Sequence, residues 1–328
     1  MYKPPFTITP EIISLLAEIC ELLGRMSALQ NPQELRLRRI NRIKTVHGSV
    51  AIEGNTLTED QISDILDGKQ IVAPLREVQE VRNAIKAYDQ YEDWDPVDED
   101  DLLKAHAIMT AGLLDNPGNY RCKAAGIMGG EDIVHIAPPA ERVSFLIKDL
   151  LAWLRDTDMH PLIASSVFHY EFEFIHPFED GNGRIGRLWQ TLILTRWNPL
   201  FADIPIESMV HVNQQAYYYA LNQSTNQANC TPFIEFMLNK ILDAINTPQV
   251  KPQVTPQVNK LLAVIKNEMS RQEILDALNL KDRKSLTKLY IRPAIEAGLL
   301  KMTVPNKPNS KLQKYILTAK GQKLSKGN

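Results

Sequence analysis

The sequence predicts a mainly α-helical fold in two parts, a large helical bundle interrupted by one β-hairpin and a small basic unit of three helices and two strands. Three observations predict it. Apolar residues recur at helical spacing in segment after segment up to residue 246. Within that half only residues 125–136 read as strand, turn and strand. Past a proline-spaced stretch the charge changes sign: residues 250–328 hold 16 Lys+Arg and 5 Asp+Glu, a balance of +11, while the remainder carries −13. The two parts should therefore meet different partners.

A chain of 328 residues suggests about two domains, enough for a sizeable core. Its 44 % hydrophobic and 23 % charged content is ordinary for a soluble protein. The start, MYKPPFTITP, has no basic segment followed by an apolar one, so no signal peptide is expected. No window approaches 18 uninterrupted apolar residues, and no membrane contact is expected. Cys20, Cys122 and Cys230 are odd in number and widely spaced. They fit neither a disulfide framework nor a zinc site and suit a reducing cytoplasm.

Taken in order, Ile12, Leu15, Leu16, Ile19 and Leu22 mark a first amphipathic helix. A second runs from about Pro32 to Ile52 with Leu35, Leu37, Ile40, Ile43 and Val46 on its apolar side. It ends in Ser49-Val-Ala-Ile-Glu53-Gly54-Asn55, where Gly54-Asn55 is a helix stop and Thr58-Glu-Asp-Gln61 a capping box for the next helix. An acid such as Glu53 is disfavoured at a helix C-terminus, which hints at a specific cation partner. Residues 59–67, 75–91 and 99–113 read as helices, with a Pro-broken acidic loop over 93–101. The hairpin follows, its second strand Ile133, Val134, His135 and Ile136 closed off by Pro138-Pro139. An isolated two-stranded hairpin is only marginally stable, so it must lean on the helices or a partner. His135 reads as a strand-face residue rather than a catalytic one. Helices come next at 140–155 and 161–173, the latter with proline at its first position.

The stretch His176-Pro-Phe-Glu-Asp-Gly-Asn-Gly-Arg-Ile-Gly-Arg187 carries the chemistry. Glycines on both sides of Asn182 allow φ > 0 and N–H groups turned into one concavity. The apolar run Leu188–Leu194 predicts that this loop feeds a helix N-terminus, which favours anions. Arg184 and Arg187, three apart, share one helix face, and guanidinium forks suit phosphate oxygens. Asp180 offers a hard oxygen for Mg²⁺, an ion that takes one or two carboxylates plus substrate phosphates. His176 alone titrates near neutrality, which makes it the natural general base. One by one these residues could be a glycine turn, a solvated acid and a core histidine; together they imply transfer of part of a polyphosphate nucleotide onto a hydroxyl. No G-x-x-x-x-G-K-[ST] is present, which excludes a Walker-type loop.

The stretch resembles the signature of the Fic family, H-x-F-x-[DE]-G-N-G-R-x-x-R, at every fixed position, and the likeness covers roughly residues 1–245. It implies a Fic-type helical bundle that moves AMP from ATP, with Mg²⁺ or Mn²⁺, onto a Ser, Thr or Tyr hydroxyl of a target protein and of itself. His176 would then be the base and Asp180 the metal ligand, while Phe178 plugs the core. Gly181, Asn182, Gly183, Arg184, Ile185, Gly186 and Arg187 would hold the phosphates. Doc-type kinases carry Lys where this chain has Gly183, so Gly183 speaks for AMP transfer. Ser49 and Glu53 match the inhibitory motif [ST]-x-x-x-E-[GN], in which the acid pairs with the second arginine, here Arg187, and keeps the γ-phosphate out. Its place before the signature implies an N-terminal inhibitory helix, about 33–53. The hairpin, residues 133–136, would hold the target by strand addition. The helix read over Ile206–Leu221 would supply Asn213 and Tyr217 to the adenine pocket, although a tyrosine run at helical spacing is usually core.

A closing helix at 231–246 completes a catalytic domain of residues 1–246, and Pro248, Pro252 and Pro256 mark a stiff linker over 247–256. Helices at 257–267, 271–278 (capped by Ser270) and 283–297, then strands at 299–304 and 312–317, resemble a winged helix-turn-helix over 257–328. Its third helix, with Arg283, Lys284, Lys288 and Arg292, would enter a major groove, and Lys307 and Lys311 on the wing would meet phosphates. Such modules also bind proteins. Two rival functions stay open: removal of AMP using Glu53, and a DNA-binding regulator whose Fic half is a sensor. The oligomeric state, a homodimer included, is not legible.

Overall fold

The helical periodicities of the first 246 residues become a bundle in the first of two units, residues 1–250 and 251–328. The computed structural model describes residues 2–28, 35–129, 132–247, 256–278, 280, 282–296, 298–304, 310, 313–318 and 321–322. Helices α1 (Pro10–Ala28), α2 (Leu35–Ala51), α3 (Glu59–Leu66), α4 (Leu75–Gln90) and α5 (Glu99–Met109) precede the hairpin of β1 (Gly126–Gly129) and β2 (Asp132–Ile136). Then follow α6 (Val143–Asp156), α7 (Pro161–Ile175), α8 (Asn182–Trp197), α9 (Ile206–Val212), α10 (Gln214–Gln227) and α11 (Thr231–Asn246).

Local signals set the boundaries. Thr58 caps α3 reciprocally with Gln61, and Gly54 ends the α2 turn at φ 90°. Pro161 opens α7, and the His160 ring nitrogen accepts from the Leu162 N–H. Helices α7 and α8 are buried almost all round, so they form the centre: α6 and α11 pack on α7, and α1 and α10 pack on α11. Their short connection, residues 176–181, is thereby held at the end of the most rigid pair in the unit. The predicted single helix over 206–221 is instead two: Asn213 leaves helical geometry and its side chain donates to the Met209 carbonyl. A side chain bonding four residues back competes with the helix ladder at that point.

The hairpin is antiparallel, with a register shift at Ile127/Met128, and among the described residues β1 and β2 pair only with each other. Helix α2 lies against α9 through Gly48. A methyl at that position would come within 2.6 Å of the Glu207 carbonyl carbon and the Ser208 nitrogen.

The second unit holds α12 (Pro256–Val264), α13 (Arg271–Ala277) and a third helix over 283–296, with a sheet of β3 (Met269–Ser270), β5 (Lys314–Leu317) and β4 (Leu300–Met302) in that spatial order. Ser270 is the expected N-cap of α13, and Glu273 completes a reciprocal capping box with it. Strand β3 is an addition to the predicted pair; at two residues it is too short for an alternation pattern. The third helix is π-type over Leu286–Ile291, a local irregularity that sequence spacing does not announce. Val258, Leu261, Ile274, Leu286, Ile291 and Tyr315 form its core. The linker at 248–255 and the wing lysines Lys307 and Lys311 lie outside the described residues. Among those described, no helix is long and apolar enough to cross a membrane.

Gly48→Ala is expected to force α2 and α9 apart, costing about 1–3 kcal/mol. Calorimetry should show the first unit melting roughly 3–9 °C lower; an unchanged transition would show that the two helices do not meet so closely.

Candidate active site

The site is built at the junction of α7 and α8. Helix α7 ends at His176, which takes a left-handed conformation, φ 49° and ψ 62°, while its N–H still donates to the Phe172 carbonyl at 2.9 Å. A non-glycine residue there costs on the order of 1–2 kcal/mol, so surrounding contacts must hold it. The imidazole is half-buried. Arg121, missed in the sequence, lies on the turn before the hairpin and donates from Nε to the His176 carbonyl at 2.7 Å.

The loop beyond is pinned from two directions. Phe178 is fully buried and stacks on His106 of α5, ring centroids 3.7 Å apart and nearly parallel. The Gly118 N–H donates to His106 Nδ1 at 2.9 Å, which leaves the proton on Nε2, where it reaches the Asp180 carbonyl at 3.0 Å. Burial lowers the His106 pKa to about 4, consistent with this neutral tautomer. Asn182 closes the loop with its amide, its Oδ1 accepting from the Phe178 N–H at 2.8 Å and its Nδ2 donating to the Phe178 carbonyl at 2.9 Å. Its side chain is thus a staple, and only its N–H remains for an anion.

Helix α8 begins at Asn182, with Gly181 before it at φ 86°. The loop is therefore shorter than the glycine spacing suggests, and Gly183 is helical. Gly183 is needed for space: a methyl on it would overlap Glu53 Oε1 and come within 2.9 Å of Arg187 Nη1. The N–H groups of Asn182, Gly183 and Arg184 belong to the first helical turn, which has no partners four residues earlier. Ile185 and Gly186 drop out as phosphate contacts. The Ile185 N–H bonds to the Gly181 carbonyl at 3.0 Å and its side chain is buried, while Gly186 packs on His169 and Glu173.

Both arginines are buried and carry spare donors. Arg184 Nη2 donates to Asp180 Oδ1 at 3.0 Å, leaving its Nε and Nη1 without a protein partner. Arg187, 3 % exposed, donates from Nη2 to Glu53 Oε1 at 2.6 Å and to the Ser49 carbonyl at 3.0 Å. The expected pairing of Glu53 with Arg187 is present, and Ser49 takes part through its backbone. Burial opposes the Arg187 charge, but Glu53, with lesser help from Tyr217 and Glu173, turns the net shift upward. Asp180 is partly exposed, with Oδ2 3.4 Å from Arg76 Nη2. Of the two carboxylates in the loop, Glu179 and Asp180, it is the one nearer the start of α8, and among the described residues no group of three metal-ligating side chains occurs. That donor set suits an ion completed by phosphates and water.

Beneath Arg187 lies a buried polar layer. His169 Nδ1 donates to Gln190 Oε1 at 2.7 Å, and the Tyr217 hydroxyl donates to His169 Nε2 at 3.1 Å; burial holds this imidazole neutral, with its pKa near 3. Tyr217 is 1 % exposed, so it belongs to this layer and not to an open pocket wall, whereas Tyr218 and Tyr219 are exposed. Asn213 is half-buried at the α9–α10 break. Glu173 is fully enclosed, and burial lifts its pKa from the ordinary 4.5 to about 8. Polar residues inside an otherwise apolar helix were the only sequence signal for His169 and Glu173. For His106 and Arg121 there was none, because their partners are distant in the chain. In the hairpin, residues 133–136 are placed as strand β2, with His135 paired to Ile127.

Several known proteins share this arrangement. The Fic/DOC family profile matches residues 96–194, and that of the "filamentation induced by cAMP protein Fic-like, C-terminal domain" matches 256–318. A solved Fic family protein from Desulfovibrio desulfuricans G20 is 49 % identical, with a TM-score of 0.73, covering 97 % of this chain and 99 % of that one. A Fic domain containing signaling protein from Bacteroides thetaiotaomicron, 22 % identical over 81 % of this chain and 99 % of that one, shares the fold at a TM-score of 0.61. The protein adenylyltransferase fic-1 of Caenorhabditis elegans is 27 % identical over 237 residues, 68 % of this chain and 44 % of that protein. The protein adenylyltransferase Fic of Drosophila mojavensis is 26 % identical over 300 residues, 82 % of this chain and 57 % of that protein. This chain thus spans about half the length of these curated relatives.

The raised Glu173 pKa has a defined consequence. The neutral acid stabilises the fold fully below about pH 4.5, and that contribution is lost as pH rises through about 8. Glu173→Gln should match the wild type in stability near pH 5 and exceed it at pH 8.5 by something on the order of 2–4 kcal/mol. Denaturation midpoints at the two pH values test this; parallel shifts in both proteins would remove Glu173 as the titrating group.

Proposed function

The chain belongs to the Fic family, and from that membership we propose that it is a protein adenylyltransferase held in check by Glu53. It would take AMP from ATP and place it on a hydroxyl of a target protein. The observation that carries this reading is the pair of buried guanidinium groups at the start of α8: Arg184 has spare donors, and Arg187 is held by a carboxylate in the manner it would hold a phosphate.

In this reading the first-turn N–H groups of α8 and Arg184 bind the polyphosphate, and Arg187 takes its outer end once Glu53 withdraws. His176 accepts the target hydroxyl's proton as its oxygen attacks the α-phosphorus, and the bond to pyrophosphate breaks. Asp180 would hold Mg²⁺ or Mn²⁺, which neutralises phosphate charge. The outer edges of β1 and β2 offer backbone groups to a target segment. We assign Ser49 and Glu53 to inhibition and residues 1–246 to catalysis. We assign the basic third helix of the second unit, with Arg283, Lys288 and Arg292, to DNA. A homodimer, and a cytoplasmic location suited to the free Cys20, Cys122 and Cys230, belong to the same proposal.

A second reading is supported by the Glu53 side chain, which keeps about a third of its surface exposed. A carboxylate so placed could align water for removal of AMP from a modified hydroxyl.

A charge-assisted pair is worth roughly 1.5–3 kcal/mol, so Glu53 should suppress productive ATP binding about tenfold to a hundredfold. Transfer from α-labelled ATP should rise in Glu53→Gly, fall in Arg187→Ala, and in the double variant resemble Arg187→Ala. His176→Ala should lose 10²–10⁴-fold in turnover while still binding ATP. A Glu53→Gly protein no faster than wild type on itself or on lysate proteins would end the inhibitory assignment; loss of an AMP-removing activity would establish the second reading. The product should gain about 329 Da, the mass of an AMP group, and not the roughly 80 Da of a phosphoryl group.

A chain ending near Thr247 should keep transfer activity and lose DNA affinity. That affinity should fall steeply with salt in the full-length protein. No binding to mixed duplexes at low salt would assign the second unit to protein contacts instead.

A further inference from the structure

Arg121 is buried at the root of the hairpin, and we propose that it is a positioning residue that sets the His176 imidazole and the target-docking strand in register. Its side chain spends its donors on four backbone carbonyls. Nε reaches the His176 carbonyl at 2.7 Å, Nη1 that of Lys123 at 2.8 Å, and Nη2 those of Pro138 at 2.5 Å and Ile175 at 3.3 Å. The Arg121 N–H adds a bond to the Pro177 carbonyl at 2.9 Å.

These acceptors fall into two groups. Ile175, His176 and Pro177 form the end of α7 and the strained turn that aims the imidazole. Lys123 and Pro138 flank the hairpin on its two sides, next to the bond from the Ala137 N–H to the Ala125 carbonyl that closes its base. One guanidinium therefore joins the turn that presents the base to the ribbon whose edge would present the substrate. It also places a cation against the last carbonyls of α7, where the helix dipole favours one. A planar fork with five donors can do this; a lysine, a point charge with three, cannot span both groups.

The phosphate-binding parts are held by other bonds. Asn182, Arg184 and Arg187 belong to α8, and their loop is fixed by His106, Phe178 and Asn182, whereas the Arg121 guanidinium bonds to the carbonyls of Lys123, Pro138, Ile175 and His176. The proposal follows from that separation: loss of Arg121 should spoil alignment of hydroxyl and imidazole without loosening ATP. A misplacement of about 1 Å can cost on the order of a hundredfold in rate.

The inference rests on His176 being the base, and the experiment separates the two. In full-length Glu53→Gly protein as parent, self-modification from α-labelled ATP is measured as initial rate against ATP concentration for Arg121→Ala, Arg121→Lys and His176→Ala. Arg121→Ala should lose about tenfold to a hundredfold in saturated rate, with the half-saturating ATP concentration within twofold of the parent. Millimolar guanidinium chloride should restore at least fivefold of that loss and leave His176→Ala unchanged. Arg121→Lys should fall by about tenfold with ATP affinity retained, and decides the matter if the alanine variant does not fold. A saturated rate within twofold of the parent in either variant would overturn the proposal. So would a joint loss of rate and ATP affinity that guanidinium does not recover, because that pattern marks a purely structural clamp. Parent-like turnover in His176→Ala would instead overturn the assignment of the base.

Discussion

A buried guanidinium has to be partnered, and the choice of partner for Arg187 organises the first unit. Removing a charge from water and leaving it alone costs several kcal/mol, so in the absence of a phosphate some carboxylate must approach. Glu53 is delivered by the end of α2, and α2 is fixed along its length. Asn41 donates to the Asp203 carbonyl, the Lys44 carbonyl accepts from Ser208, and Gln214 holds the Ile52 carbonyl. Asn55, just past the turn, donates to Glu80 and to the Glu77 carbonyl. All but the Asn55–Glu80 bond are side-chain to backbone bonds, which fix where a chain runs more than they fix what it presents. The effect is that the fold rests with the Glu53 carboxylate on Arg187.

Much of that arrangement is legible in the sequence because it is local. Both capping boxes, the glycine stop at Gly54, the proline starts and the apolar spacing each depend on residues within a turn or two, and the structure has helices at those places. The pairing of Glu53 with Arg187 was legible for another reason: two motifs 134 residues apart resemble one family's paired signatures. The polar layer beneath Arg187 was not. His169 and Glu173 sit on α7 among apolar neighbours, and only the packing of α7 on α8 brings them to Gln190, Tyr217 and Gly186. The burial of Tyr217 was not legible on the same ground, since the face that a helix buries depends on what arrives against it. The break at Asn213 and the π segment in the second unit depend on hydrogen bonding that hydrophobic periodicity does not encode.

The glycines of the signature show how one residue type can serve different constraints in adjacent positions. Gly181 takes φ 86°, which L-residues rarely adopt, so its requirement is conformational. Gly183 has an ordinary helical backbone, and its requirement is steric, since a side chain there would displace the Glu53 carboxylate from Arg187. Gly186 admits His169 and Glu173 to within 3.0 Å of where its Cβ would lie. From spacing alone Gly181 and Gly183 read as loop flexibility. In the structure one makes the turn, one makes room for the Glu53 carboxylate, and one makes room for the buried layer.

That last distinction bears on what a nucleotide must do to enter. The space above Gly183 is filled by a carboxylate, and the phosphates cannot share it, because like charges on one guanidinium repel. On the proposed reading, activation would exchange one anion for another at a fixed cation, with no need to rebuild the cradle itself. Arg184, the first turn of α8 and the loop held by His106 and Asn182 already stand where a polyphosphate would need them. Only the end of α2 has to give way. If Glu53 is the inhibitor proposed above, the bonds that fix α2 would set the threshold for activity as much as the strength of the ion pair does, and Gly48, which lets α2 close on α9, would belong among its determinants.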